Sequence, residues 1–128
     1  MDNQEKLKKP VGNLDPERLK ASKVGIVGVE IETVEKAKAD KVVFTVEHPD
    51  SDKPLKISSA KILTGKKKDK LKSTGLWYNV DKEDNIQKGS ALAEVMSFIG
   101  ISTLDEARGK EVELVEDDDG YLTIKAYS

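Results

Sequence analysis

From Val24 to Val34 the chain is rich in β-branched residues, and Val27, Val29 and Ile31 alternate with Gly28, Glu30 and Glu32. A period of two describes a strand that is dry on one face and wet on the other. Gly25 and Gly28 fall inside this run. Glycine within a strand marks a bulge or a tight bend, so the spacing predicts a strand that curls, with Val27, Val29 and Ile31 inward. A curled first strand limits the chain to a small, strongly curved sheet.

The segments that follow extend this pattern. Val42 to Glu47 predicts a second strand with Val42, Phe44 and Val46 on one face, and His48 to Pro54 is rich in turn residues. Leu55 to Leu63 predicts a third strand whose alternation slips at Ser58-Ser59, the mark of a bulge or kink. Thr64 to Gly75 reads as a lysine-rich loop, and Leu76 to Val80 as a strand with Leu76, Tyr78 and Val80 inward. Ser90 to Ile99 is the one clear helix: Ser90 caps it, Leu92, Val95, Met96 and Ile99 form one stripe, and Gly100 stops it. Thr103 and Glu106 have capping-box spacing for a short second helix ending at Gly109. Glu111 to Val115 and Tyr121 to Tyr127 predict a hairpin turning at Asp119-Gly120, with Leu122, Ile124 and Ala126 inward.

Strands, one helix and a terminal hairpin make a mainly β (α+β) order, without the regular strand–helix alternation of a parallel α/β sheet. The expected fold is a small curved antiparallel barrel, OB-like, with one main helix. Residues 23–128 form that domain, and residues 1–22, with two prolines and few apolar groups, form a mobile arm. Within the arm, Asp15-Pro16 has the form of a helix start. The N-terminal residues are polar and no apolar run nears the roughly 18 residues of a membrane span, so a soluble, cytoplasmic protein is expected.

Charge is unevenly placed. Lys53 to Lys72 holds eight lysines and one acid, Asp69, and residues 41–80 carry a net charge of +5. Residues 81–128 carry −7, within a chain of formal net charge −2. Such a run is often no more than a solvated loop. Its aromatic neighbours point further, to a polyanion-binding face. Lys56, Lys61, Lys66, Lys67, Lys68, Lys70, Lys72 and Lys125 are the candidates to follow phosphates, and Trp77, Tyr121 and Tyr127 to stack on unpaired bases.

Catalytic and metal chemistry find little support. The chain has no cysteine and one histidine, so thiol catalysis, cysteine-ligated zinc and a histidine-clustered metal site lack their parts. Val24 to Gly28 lacks the third glycine and the helix of a dinucleotide site, and Lys88-Gly89-Ser90 has the wrong order for a phosphate loop. Glu116 to Gly120 lacks the ligand spacing of a calcium loop. The expectation is a non-enzymatic protein with no cofactor and no metal.

The segment Ser90 to Gly100, the stretch Thr103 to Val112 with Gly109-Lys110, and the ending Gly120 to Tyr127 resemble the C-terminal part of small phage and archaeal proteins. Some of those are similar to OB-fold single-stranded-DNA-binding proteins. The resemblance covers about a third of the chain and implies an OB-like barrel in contact with single-stranded nucleic acid. The rival expectation is a protein-interaction or structural module, as a homo-oligomer or with another protein, in which the basic loop and the acidic C-terminal third meet across subunits.

Overall fold

The computed structural model describes residues 6–12, 22–64, 67 and 69–127. Among them, β1 (Lys23–Val34), β2 (Ala39–Glu47), β3 (Leu55–Ile57), β4 (Ser59–Thr64), β5 (Lys70–Gly75), β6 (Glu111–Glu116) and β7 (Leu122–Ala126) form one sheet. Its order is β3-β2-β1-β6-β7-β4-β5. The protein is mainly β, with one α-helix of more than a turn among the described residues, α1 (Ala91–Ile99).

β1 bends where its glycines predict, and the bend changes which residues face inward. Gly25 pairs with Glu47 but Gly28 with Thr45, so the register shifts between Ile26 and Gly28. The extra residue reverses the alternation. Val24 and Ile26 are buried ahead of the bulge, and Val27, expected inward, is 47% exposed. Beyond it, Val29 faces Phe44 and Ile31 faces Val42. β1 therefore serves two partners, β6 through Lys23–Gly25 and β2 through the rest.

The third predicted strand breaks at Ser58 into β3, which pairs with β2, and β4, which pairs with β5 and β7. Among the described strands the β4–β7 ladder is parallel and the other five are antiparallel. The expected mainly β, curved sheet is present, and its ladder stays open, with β3 and β5 at its edges. Three backbone hydrogen bonds tie the segment that follows β5 to Ser58 and to β2: Leu76 N–H donates to Ser58 (2.9 Å), Val42 N–H to Leu76 (2.8 Å) and Tyr78 N–H to Asp40 (2.8 Å). The strand expected over Leu76–Val80 reduces to the single bridges Lys41–Trp77 and Val80–Ile86. Leu76 is fully buried and Val80 is exposed.

Two further expectations change. Thr64–Gly75 is not a loop: from Lys70 it is β5, hydrogen-bonded along β4. Thr123, placed on a wet face by simple alternation, is fully buried, as is Ile124 beside it. Thr123 shares a 2.9 Å hydroxyl hydrogen bond with Ser59, which satisfies it inside the protein.

The helix follows its sequence closely. Ser90 Oγ accepts from Ala93 N–H, and Gly100 takes the left-handed φ of 86° that ends the helix while its N–H returns to Met96. Leu92, Val95 and Met96 are buried, Ile99 packs at the core's edge, and α1 lies against β4 and β7. The core gathers Phe44, Leu76, Leu92, Leu114 and Ile124, each worth about 1.5–3 kcal/mol of burial. The second short helix is a single 3-10 turn, Leu104–Ala107. Glu106 accepts from Ser102 N–H, and the Thr103 hydroxyl donates to Asp105 instead of capping the turn.

In the β6–β7 hairpin, Asp117 organises the turn: its carboxylate accepts from the N–H groups of Asp119 and Tyr121, each at 2.9 Å. Residues 6–12 are exposed, and the arm's expected helix start at Asp15-Pro16 lies outside the described residues. No helix among the described residues is long and apolar enough to cross a membrane.

Candidate nucleic-acid interface

β4 and β5 run antiparallel from the Ser59–Gly75 pair to the Thr64–Lys70 pair. The lysine-rich segment is thus a β-hairpin arm on the edge of the sheet. Lys67, Lys70 and Lys72 are exposed on it, and Lys66 and Lys68 lie outside the described residues. Lysine along an edge strand also discourages a second edge from pairing there.

Residues paired across a ladder share a face of the sheet. Lys61 pairs with Ser73 on one side and with Lys125 of β7 on the other, so two cationic side chains project together. Lys70 and Lys72 pair with Thr64 and Ile62 and therefore project from the opposite face. The candidate lysines thus divide between the two faces of the arm and its neighbour.

Several have partners already. Lys125 Nζ lies 3.3 Å from Glu113 and 5.3 Å from the centre of the Tyr127 ring. Lys56 lies 3.2 Å from Glu30 on the far side of the sheet. Both members of that pair are more than half exposed, which makes it a weak restraint that a polyanion can displace.

Trp77 is partly buried, and the Lys41 ammonium sits 5.2 Å from its ring centre. Gly75 makes this arrangement fit: a Cβ there would lie 3.0 Å from Trp77 Nε1 and 3.1 Å from Lys41 Cε. Tyr121, 72% exposed, and the half-buried Tyr127 bracket β7. Their separation is roughly 20 Å at ~3.4 Å per residue, so they offer separate stacking positions.

Sequence reasoning missed two residues or groups that matter. Lys41 meets Trp77 only through a bridge between distant segments. Asp117, Asp118 and Asp119 border the same cleft of ≈ 420 Å³ as Lys72 and Ser73, which puts the acidic turn beside the basic arm within one chain. His48 is buried, and its Nδ1 accepts from Asp50 N–H at 3.0 Å, which braces the 48–54 turn. No cluster of three or more metal-ligating side chains occurs among the described residues. Comparison with family models, with curated proteins and with solved structures finds no match for this chain.

Proposed function

We propose that this protein binds single-stranded nucleic acid and performs no chemistry on it. The observation that carries the proposal is the basic β4–β5 arm, with Lys67, Lys70 and Lys72 exposed and Lys61 beside Lys125 at its base. Phosphates follow these lysines, together with Lys66 and Lys68 in the connection between the strands, and Tyr121, Tyr127 and the outer side of Trp77 take bases.

An OB-like scaffold is part of the proposal. That fold is a five-stranded, partly open Greek-key barrel. Taking β3 and β4 as one strand broken at Ser58, and β5 as an added arm, leaves five strands. The helix then falls between the broken third strand and the last hairpin, and β6–β7 bridges β1 to β4. The absence of cysteine fits a reducing, cytoplasmic setting.

The test is a titration of the full chain with oligo-dT, read by Trp77 fluorescence at several salt concentrations. Binding should weaken steeply with salt, by about 0.7 in log–log slope per phosphate neutralised on a single strand. Absence of any salt-sensitive binding overturns the proposal. The protein-interaction reading then takes its place.

A further inference from the structure

On the surface formed by the 78–86 segment, α1 and the 3-10 turn lies an open trough of ≈ 740 Å³. Its floor is apolar: Ile31, Tyr78, Ile86, Met96, Ile101 and Leu104. Ile31 is 49% exposed, although its partner across the β1–β2 ladder is the buried Val42. The charged residues of the lining are Asp84 and Asp105, and no lysine or arginine lines it. The backbone at Asp84 and the carboxylate of Asp105 are held in place. Asp84 N–H donates to the Asp81 carbonyl, and the Asp81 carboxylate accepts from Glu83 and Asn85 N–H. The Thr103 hydroxyl bonds the Asp105 carboxylate and holds that carboxyl below its ordinary range.

An apolar floor with an acidic rim repels phosphate and suits a surface that carries the complementary pair of properties. Such a surface exists on the same chain. Leu63 and Leu71 pair on one face of the β4–β5 arm, with Leu71 47% exposed, and Lys61 and Lys125 pair on that same face. We infer that the protein associates with itself head to tail, the Leu63–Leu71 face of one copy seating in the trough of the next with Lys61 toward Asp84 and Asp105.

Charge selects this mode over trough against trough. Trough against trough brings carboxylates together, whereas arm in trough sets Lys61 against them, and such a heterologous contact builds a ring or an open chain of copies. This contact does not rest on nucleic-acid binding. It uses the Lys61–Lys125 face, however, so the two engagements exclude one another if both occur.

The experiment is sedimentation velocity on the full chain, without oligonucleotide, over a range of concentration and salt. The mass should rise above the 14.1 kDa of one chain as concentration increases, and fall back as salt is added. Leu71→Asp and Ile31→Glu should each yield a monomer, with circular dichroism unchanged because both side chains are half exposed. Mixing these two variants is the decisive step. One keeps an intact trough and the other an intact arm, so the mixture should form a species of twice the 14.1 kDa chain mass and grow no further.

Should either variant fail to fold, the double variant Asp84→Asn with Asp105→Asn replaces it, with an expected weakening of about two- to fivefold at low salt. A monomer at every concentration up to the millimolar range overturns the inference. So does association that survives Leu71→Asp, or a mixture that stays monomeric. None of these results decides whether the chain binds oligo-dT.

Discussion

β5 and β7 flank the same strand. β7 runs parallel to β4 through the Ala60–Ile124 pair, and both Thr123 and Ile124 are fully buried. β5 runs antiparallel to it, and Lys70, Leu71 and Lys72 all stay exposed. The first is held by packing on both faces, the second mainly by its ladder and by the anchor at Gly75, Leu76 and Trp77. Beyond the Ile62–Lys72 pair no described residue of the arm is buried, and a two-stranded hairpin of that kind is marginal in water. The arm therefore depends on its root, where Leu76 N–H donates to Ser58 and Val42 N–H donates to Leu76.

The largest difference expected between the two is in core truncation. Ile124→Ala should cost about 2–5 kcal/mol in chemical denaturation, while Leu71→Ala should stay within about 0.5 kcal/mol. Similar losses at both positions would show that the arm packs against something, and the contrast would be gone. Next comes the root itself. Gly75→Ala pushes a methyl group to 3.0 Å from Trp77 Nε1, and should cost about 1–3 kcal/mol and shift the tryptophan emission. An unchanged emission spectrum would mean that Trp77 does not rest on Gly75.

A smaller effect probes the buried side. Ser59→Ala leaves the Thr123 hydroxyl without its 2.9 Å partner, at about 1–2 kcal/mol. Adding Thr123→Val to that variant removes the orphaned hydroxyl as well, so the double variant should recover much of the loss. Additive losses in this cycle would place the cost in packing and not in the hydrogen bond.

The same contrast explains which parts of the fold were legible in the sequence. β2 and α1 could be read because their apolar residues are periodic: Val42, Phe44 and Val46 fall in alternation, though Val43 is buried as well, and Leu92, Val95 and Met96 form a helical stripe. The terminal hairpin was announced by its turn. β5 could not be read, because Lys70, Leu71 and Lys72 are all exposed and leave no hydrophobic period, and its lysines resemble any solvated loop. Thr123 failed for the opposite reason, since it and its neighbour Ile124 are both buried and the threonine hydroxyl is satisfied there by Ser59. Val27 failed by one residue, at a bulge whose presence Gly28 signals but whose register only the pairing with β2 decides. At the candidate site, composition revealed the lysines. Their division between two faces, and the Lys41 and Asp117–Asp119 neighbours, depend on pairings between distant segments.

The smallest expected change in stability belongs to the arm's own lysines, and it is the most informative about function. Lys67, Lys70 and Lys72 are exposed on an edge hairpin, so replacing all three by alanine should alter the unfolding free energy by no more than about 0.5 kcal/mol per site. If these side chains meet phosphates, the same variant should bind oligo-dT more weakly and lower the log–log salt slope by about 2, because each lost contact with a single strand removes about 0.7. The two changes must appear together, since counterion release produces both. A loss of affinity with an unchanged slope would mean that the lysines act by holding the arm's shape and that the phosphates lie elsewhere. A flattened slope with stability intact would leave β5 as a strand whose sequence serves its ligand and not its fold.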